Sequence, residues 1–162
     1  MRQISNFLSK FNANMSLDEN LVVKKDDRYF LLDLNLKSLI RNDFLYAGIY
    51  LGRNENDTFL PSFNLLAMMA RTEANKITVD EKSEWLFICG RDVFKRGITR
   101  LSGPRRRGDY TLILNEQGDC LGFGRITRDL NDRDEGKVAV KNIADIGDFL
   151  RRESTQKRHE RF

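Results

Sequence analysis

The chain has 162 residues, of which 40% are apolar and 32% charged, and its formal net charge is +4. This length allows one domain or two small ones, and the composition supports a packed core beneath a well-solvated surface. Two cysteines are too few for a disulfide-rich scaffold, and no apolar run approaches the roughly 20 residues of a membrane span. The N-terminus lacks the pattern of a secretory signal.

The first 40 residues predict a helix, a hairpin and a second, shorter helix. Apolar residues at positions 4, 7, 8 and 11 share one face, so residues 1–11 predict a helix that packs on the core. Residues 21–23 and 29–32 are short apolar runs around a polar turn, which is typical of a β-hairpin. Residues 36–40 predict one or two helical turns.

The next segment predicts two strands around a helix. Residues 45–51 predict a buried strand ended by Gly52 and followed by a turn over residues 53–57. Residues 62–71 predict a helix with Pro61 near its start, and residues 77–79 predict a short strand. Because strands and helices do not strictly alternate, the α+β class is favoured.

A polar break at residues 80–82 separates residues 1–80 from residues 81–162, and we place the domain boundary there. Residues 85–89, ended by Gly90, form an apolar run that predicts a buried strand. Residues 92–95 predict a short helix, and Ser102-Gly103-Pro104 a turn.

The remaining second half predicts a β-rich domain. Strands are expected over residues 110–114, 120–127 and 137–140, with a hairpin turn over residues 115–119. Asp145 is well suited to cap a final helix that contains Ile146, Phe149 and Leu150. Short strands at regular spacing with glycine-marked turns predict a closed or nearly closed small β-barrel.

Positive charge is concentrated in the second half. Residues 1–80 carry ten basic and ten acidic side chains, whereas residues 81–162 carry eighteen and fourteen. Residues 91–107 hold seven basic residues against Asp92 alone, and residues 151–162 hold five against two. Such clusters are either solvated surface or a site for a polyanion such as RNA. Tyr110 and Phe94 could supply rings for base stacking, although Phe94 is more typical of a core residue.

Catalytic and cofactor-binding patterns are weak. Gly122 and Gly124 give the GxG of a nucleotide loop, but a strand follows them instead of the helix that a pyrophosphate needs. His159 lies in a polar tail, and two cysteines with one histidine are too few for a zinc site. The acidic residues between positions 129 and 135 lack the glycine of a calcium loop. Cys89 and Cys120 indicate reduced core residues of an intracellular protein. We therefore expect no enzyme, cofactor or metal.

Three stretches carry a family resemblance: EWLFICGRDVFKRGITR from residue 84, CLGFGRIT from residue 120 and AVKNIADIGDFLRRE from residue 139. They resemble the PUA domain of the ribosome-biogenesis family that functions in eukaryotic 60S subunit assembly, and of its shorter archaeal relatives. Residues 45–70 also fit that family. The resemblance implies an N-terminal pre-PUA domain with a mixed sheet and helices, followed by a PUA pseudo-barrel with a basic tail.

The resemblance implies that the PUA domain binds single-stranded, U-rich RNA without catalysis. By position, the RNA contacts carry over to Arg151 and Arg152 at the end of the last helix, and then to Lys157 and Arg158. The PUA fold more generally uses the segment after its first strand, and Arg105, Arg106 and Arg107 add further charge. That segment here holds Arg91, Lys95, Arg96 and Arg100.

The resemblance also implies partners and location. The partners are rRNA or pre-rRNA, pre-ribosomal large-subunit particles and, in archaea, exosome subunits, without a membrane. The location is the cytoplasm of an archaeal cell or the nucleolus and nucleus of a eukaryotic one. Two alternatives stay open: a protein scaffold that docks through its neutral first half, and an RNA-modifying enzyme, for which Asp33 and Asp43 are the only candidates.

Overall fold

Two β-sheets organise the computed structural model, which describes residues 1–41, 43–131 and 134–148. Within those residues, the first sheet holds four antiparallel strands in chain order: β1 (Val22–Lys25), β2 (Arg28–Leu31), β3 (Ile49–Glu55) and β4 (Thr58–Pro61). The helices of this half are α1 (Arg2–Ser9), α2 (Leu34–Leu39) and α3 (Phe63–Ala70). The predicted first helix, hairpin, short second helix and helix after Pro61 are therefore confirmed.

The second sheet holds six strands within the described ranges. They are β5 (Lys76–Val79), β6 (Val93–Phe94), β7 (Ile98–Ser102), β8 (Tyr110–Leu114), β9 (Cys120–Ile126) and β10 (Val138–Asp145). Their order is β6-β10-β9-β8-β5-β7, with β5 and β8 parallel and the other neighbours antiparallel. Helix α4 (Glu81–Ile88) connects β5 to β6. The domain boundary expected after Asp80 stays a prediction.

A single 3-10 turn, Lys95–Gly97, joins the two edges of this sheet. β6 and β7 stand at opposite ends of the strand order, yet only this turn separates them along the chain. The Gly97 carbonyl also accepts a hydrogen bond from the Asp80 N–H at 2.9 Å. Any Cβ at position 97 would collide with the Ser83 side chain, so glycine is required where the turn meets α4. The sheet therefore curls until its edges approach each other, as the nearly closed barrel requires.

The largest apolar cluster lies where the N-terminal helices meet the second sheet. Helix α1 brings its apolar face to strands β8 and β9, and α3 completes the layer. Its buried members include Ile4, Phe7, Leu8 and Phe11 at the N-terminus, Leu65, Leu66 and Met69 on α3, and Leu112, Leu114 and Phe123 on the sheet. Each such side chain contributes roughly 1.5–3 kcal/mol on burial. The predicted apolar face of the first helix is thus a core face, and it joins the two halves.

Asn75 fixes the end of α1 against β8. Its backbone N–H donates to the Phe11 carbonyl at 2.7 Å, and its carbonyl accepts from the Leu112 N–H at 2.9 Å. Its side-chain amide donates to the Tyr110 carbonyl and accepts from the Asn12 amide, both at 3.2 Å. Asn75 is only 3% exposed, so these bonds are made away from water, where an unpaired amide would be costly.

The strand expected at residues 85–89 is wrong, because α4 occupies that segment. Asp80 caps the helix, its Oδ1 accepting from the Ser83 N–H at 2.7 Å. Phe87 is fully buried, whereas Trp85 is 65% exposed and Cys89 is also exposed. Cys89 is therefore not the core residue that was expected, whereas Cys120 is buried.

Two neighbouring expectations also need correction. The helix expected at residues 92–95 is wrong: β6 pairs with β10 there, and the 3-10 turn begins only at Lys95. Phe94 was expected in the core but is 37% exposed, with the Arg96 guanidinium carbon 5.5 Å from its ring centroid. A two-residue edge strand exposes alternate side chains, so one of its two residues faces solvent.

Strand β3 is shifted relative to its expected position at residues 45–51. It begins at Ile49, passes through Gly52 and ends at Glu55, while Leu45 is 80% exposed. Gly52 has φ +143°, and a Cβ there would collide with the Leu60 carbonyl of β4. Glycine thus permits a close strand contact here instead of ending the strand. The turn is made by Asn56 and Asp57, both with positive φ.

The expected strands at residues 77–79, 110–114 and 120–127 are confirmed as β5, β8 and β9. The strand expected at residues 137–140 is longer, since β10 continues to Asp145. Asp145 then caps the next helical turn, its Oδ1 accepting from the Asp148 N–H at 2.8 Å. Residues 149–162 lie outside the described residues.

Candidate nucleic-acid interface

Three side chains form a row across the second sheet. Tyr110 on β8 lies opposite Arg125 on β9, and Arg125 lies opposite Lys141 on β10. Directly opposed residues project to the same face of a sheet, and neighbouring strands are about 4.8 Å apart. The row therefore places an aromatic ring, a guanidinium and an ammonium side by side across roughly 10 Å.

This row lies in a surface groove of about 590 Å³. Besides the three residues of the row, the groove is lined by Arg107, Thr127 and Ile143. Arg107, Arg125 and Lys141 are exposed, and Ile143 is 43% exposed. The volume falls within the range of about 300–1,000 Å³ that is typical of ligand pockets. The groove thus combines three cations with one ring and an apolar edge.

Arg125 is held in a defined orientation. Its Nε–H donates to the Gly108 carbonyl at 3.1 Å, and its guanidinium carbon is 5.9 Å from the Tyr110 ring centroid. The Lys10 ammonium lies 5.4 Å from the same centroid. Two cations therefore contact one electron-rich ring. A guanidinium fixed by one N–H keeps its remaining donors for a phosphate or a base edge.

Acidic side chains do not neutralise this groove in the part of the chain that the structure describes. The ion pairs found there join other residues, and none of the described carboxylates lies within ion-pair distance of Arg107, Arg125 or Lys141. In contrast, Asp134 in the acidic loop pairs with Lys137 at 2.8 Å. The hydrogen bond from Lys137 lowers the pKa of Asp134. The positive charges of the groove thus remain available to a ligand, whereas the charge of Lys137 is balanced by Asp134 in the loop.

The predicted site residues are spread over several surfaces. Of the residues in the cluster at 91–107, Arg107 lines the groove. Arg105 donates to the Asn131 amide oxygen at 3.4 Å, and Arg100 lies exposed on the edge strand β7. Arg91, Arg96 and Arg106 are exposed, and Lys95 is half-buried. Arg151, Arg152, Lys157 and Arg158 lie outside the described residues, so their predicted role stays a prediction.

Sequence reasoning missed three cations around Tyr110. They are Lys10, Arg125 and Lys141. One sequence signal for Arg125 was available: it is the one charged residue in the apolar and glycine run CLGFGRI of residues 120–126. No comparable local signal marks Lys10 or Lys141, because their proximity depends on strand register and on the packing of α1.

The described residues contain neither a membrane-spanning helix nor a cluster of metal-binding side chains. No helix there is long and apolar enough to cross a bilayer. The same residues contain no group of three or more His, Cys, Asp or Glu side chains arranged to hold a metal ion. Asp33, one of two residues considered for catalysis, instead caps α2, accepting from the Leu36 N–H at 2.7 Å.

Comparisons with known proteins agree with this architecture. Residues 75–154 match the UPF0113 PUA domain. A UPF0113 protein of Archaeoglobus fulgidus is 32% identical over 113 residues, covering 68% of this chain and 64% of that protein. The 60S ribosome subunit biogenesis protein NIP7 homolog of Danio rerio is 26% identical over 137 residues, covering 80% of this chain and 76% of that protein.

A solved structure of a conserved PUA domain protein from Thermoplasma acidophilum has the same fold. It aligns with a TM-score of 0.62 and 21% identity, covering 94% of this chain and 92% of that one. This likeness confirms the predicted α+β class with a C-terminal PUA-type pseudo-barrel. The matched region spans less than two thirds of the A. fulgidus relative. Residues 75–154 of this chain therefore form a PUA domain of the UPF0113 type.

Proposed function

We propose that this protein is a non-catalytic RNA-binding factor in large ribosomal subunit assembly and pre-rRNA processing. The observation that carries the RNA-binding part is the row of Tyr110, Arg125 and Lys141, which lies in a groove where the described carboxylates form no ion pair with these cations. The D. rerio relative is named as a 60S ribosome subunit biogenesis protein, and this supports the process. RNA is a polyanion, so a groove with three cations is suited to its backbone.

The groove favours a single strand over a duplex. In a duplex the bases stack on each other, whereas an unpaired base can stack on a tyrosine ring or a guanidinium plane. Tyr110 and Arg125 provide these two surfaces, and Arg107 and Lys141 can contact the flanking phosphates. The preference for U-rich RNA is part of this proposal and derives from the family resemblance.

The residues predicted from sequence form a second part of the proposal. Arg151 and Arg152, with Lys157 and Arg158, are proposed to extend the RNA contact beyond the groove. If they do, reversing the charge of Arg151 and Arg152 should weaken RNA binding. Unchanged affinity would assign the contact to the groove alone.

The experiment that tests the proposal is a titration of the full chain into labelled RNA. Single-stranded U-rich RNA is compared with A-rich RNA and with duplex DNA, each at 50 and 200 mM salt. We expect the tightest binding to single-stranded RNA, weakening with salt, because neutralised phosphates release counterions. Equal, weak affinity for all three nucleic acids would refute a specific RNA-binding function.

A second function, protein docking, is favoured by the surface of the first half. Leu34, Leu39 and Leu45 are large apolar side chains that are 74%, 77% and 80% exposed. Exposed apolar surface is typical of protein contacts, and the proposed partners are pre-ribosomal large-subunit particles and exosome subunits. The protein would act in the archaeal cytoplasm, or in the nucleolus of a eukaryotic cell. Capture of such partners that survives nuclease treatment would support docking, and loss of all partners would contradict it.

A further inference from the structure

We propose that Lys10, at the end of helix α1, binds a phosphate beside the same groove, so that both halves of the chain contribute to the RNA site. This inference rests on the proposed RNA-binding function and deepens it. Lys10 is exposed, and its ammonium lies 5.4 Å from the Tyr110 ring centroid. Arg125 approaches the same ring from within the second sheet, at 5.9 Å. The ring thus has one cation from each half of the chain beside it.

The position of Lys10 is fixed by the residue that follows it. Phe11 is fully buried, and its ring centroid lies 5.7 Å from that of Tyr110 and 5.6 Å from that of Phe123. Two rings of the second sheet therefore hold the end of α1. Since Lys10 is covalently attached to this anchored residue, its backbone is held beside Tyr110, and its flexible four-carbon side chain reaches the groove from a fixed point.

Hydrogen bonds fix the same junction independently of the aromatic contacts. The buried Asn75 bonds to the Phe11 carbonyl, to the Asn12 amide and to the Tyr110 carbonyl. This network connects the backbone of Phe11, next to Lys10, with the backbone of Tyr110, whose ring the Lys10 ammonium approaches. The geometry therefore belongs to the folded core and not to a mobile terminus, which is what preorganised binding of a ligand requires.

The charge of Lys10 is available to a polyanionic ligand, although Lys10 also lines a neighbouring pocket that contains Asp57. Among the described residues, no carboxylate lies within ion-pair distance of its ammonium. Lys10 adds a cation beside Tyr110, and Lys141 lies two strand spacings from that ring along the row. Cations spread over this distance suit a chain with more than one phosphate. We therefore expect the ligand to be an RNA strand of at least two nucleotides, not a mononucleotide.

The experiment must distinguish a direct phosphate contact by Lys10 from a purely structural role of this side chain. A lysine at a helix C-terminus interacts favourably with the helix dipole, and its contact with Tyr110 could merely position that ring. Either role would alter affinity only indirectly. A direct phosphate contact has a distinct signature, because each contact to single-stranded nucleic acid adds about 0.7 to the slope of log K against log salt.

The test compares three variants of the full chain: Lys10→Gln, Lys10→Arg and the control Lys24→Gln. Lys24 is also an exposed lysine of the first half, and its ammonium lies 6.0 Å from another tyrosine ring, that of Tyr29. Affinity for a labelled single-stranded U-rich RNA is measured between 50 and 200 mM salt. Circular dichroism melting confirms that every variant is folded.

With Lys10, Arg107 and Lys141 each on a phosphate and Arg125 stacked on a base, the expected slope is about −2.1, or a roughly 20-fold loss of affinity over this salt range. Lys10→Gln should reduce the slope to about −1.4, which corresponds to a loss of roughly 7-fold. Lys10→Arg retains the charge and should retain the slope. The control Lys24→Gln should match the unsubstituted protein.

The outcomes separate this inference from the function on which it rests. If the unsubstituted protein shows no salt-sensitive RNA binding, both are refuted. If Arg125→Ala weakens binding but Lys10→Gln leaves affinity and slope unchanged, RNA binding stands and the role of Lys10 is refuted. A Lys10→Gln variant that binds more weakly with an unchanged slope would show that Lys10 only positions Tyr110, and this also overturns the proposal.

Discussion

Replacing Arg125 with alanine tests whether the groove, and not the basic surface as a whole, binds RNA. The side chain donates to the Gly108 carbonyl and lies 5.9 Å from the Tyr110 ring centroid. A hydrogen bond to a charged group contributes about 1.5–3 kcal/mol, and base stacking contributes about 1–3 kcal/mol per base. Taking about 2–3 kcal/mol for the lost guanidinium, we expect RNA affinity to fall roughly 30- to 150-fold.

The measurement is fluorescence anisotropy with a labelled single-stranded U-rich RNA, using Arg71→Ala as the matched control. Arg71 is an exposed arginine at the end of α3, so its replacement removes the same charge from another surface. Arg125→Lys should bind more weakly than the unsubstituted protein with the same salt dependence, since lysine keeps the charge but lacks the planar fork of donors. If Arg125→Ala and Arg71→Ala weaken binding equally, the groove is not the site.

One substitution and two spectroscopic or labelling measurements test the fold that supports the groove. Asn75→Ala should lower the free energy of unfolding by about 2 kcal/mol, because Asn75 makes two side-chain hydrogen bonds, one of them to the Tyr110 carbonyl; unaltered urea denaturation would contradict this. Burial raises the pKa of the Cys120 thiol to about 11, whereas Cys89 is exposed. A maleimide at neutral pH should therefore label Cys89 alone until the protein is unfolded, and early labelling of Cys120 would show that its burial is wrong. Trp85, the only tryptophan, is 65% exposed. Its fluorescence should resemble that of tryptophan in water and be readily quenched by iodide, whereas a protected, blue-shifted emission would favour the buried strand expected from sequence.

Much of the first half was predictable because its signals are local. The residues at positions 4, 7, 8 and 11 share one helical face, and all four are buried. The hairpin of β1 and β2 follows from two apolar runs and the turn between them. Each of these features depends on residues within about a dozen positions. Sequence patterning captures such features without knowledge of the rest of the fold.

The segment of α4 was mistaken for a strand because a short apolar run fits either structure. Residues 85–89 are uniformly apolar, which hides the helical period, and the polar residues 80–82 were assigned to a break. The helix is decided by Asp80, which caps it, and by the burial of Phe87 while Trp85 remains in solvent. Capping and exposure, not hydrophobicity, would have given the correct assignment.

The groove was only partly predictable because it is assembled from distant segments. Tyr110 and Arg107 were identified as candidates, since one is an aromatic residue beside a basic cluster and the other belongs to that cluster. Arg125 and Lys141 are brought together by the pairing of β9 and β10, which shifts register between Asn142 and Ala144. The sequence-based prediction ended the last strand at residue 140. A pairing register across an irregular strand cannot be derived from composition or periodicity.

Lys10 shows why the net charge of a half is a poor guide to its partner. The first half carries equal numbers of basic and acidic residues, and this suggested protein docking for it and RNA binding for the second half. Charges separated by more than about 8 Å are largely screened at physiological salt. A lysine 5.4 Å from the groove's ring would therefore act on an anionic ligand bound there, whatever the remainder of its half carries. Partners should accordingly be assigned to surfaces, and the surface that carries the RNA proposal includes the N-terminal helix.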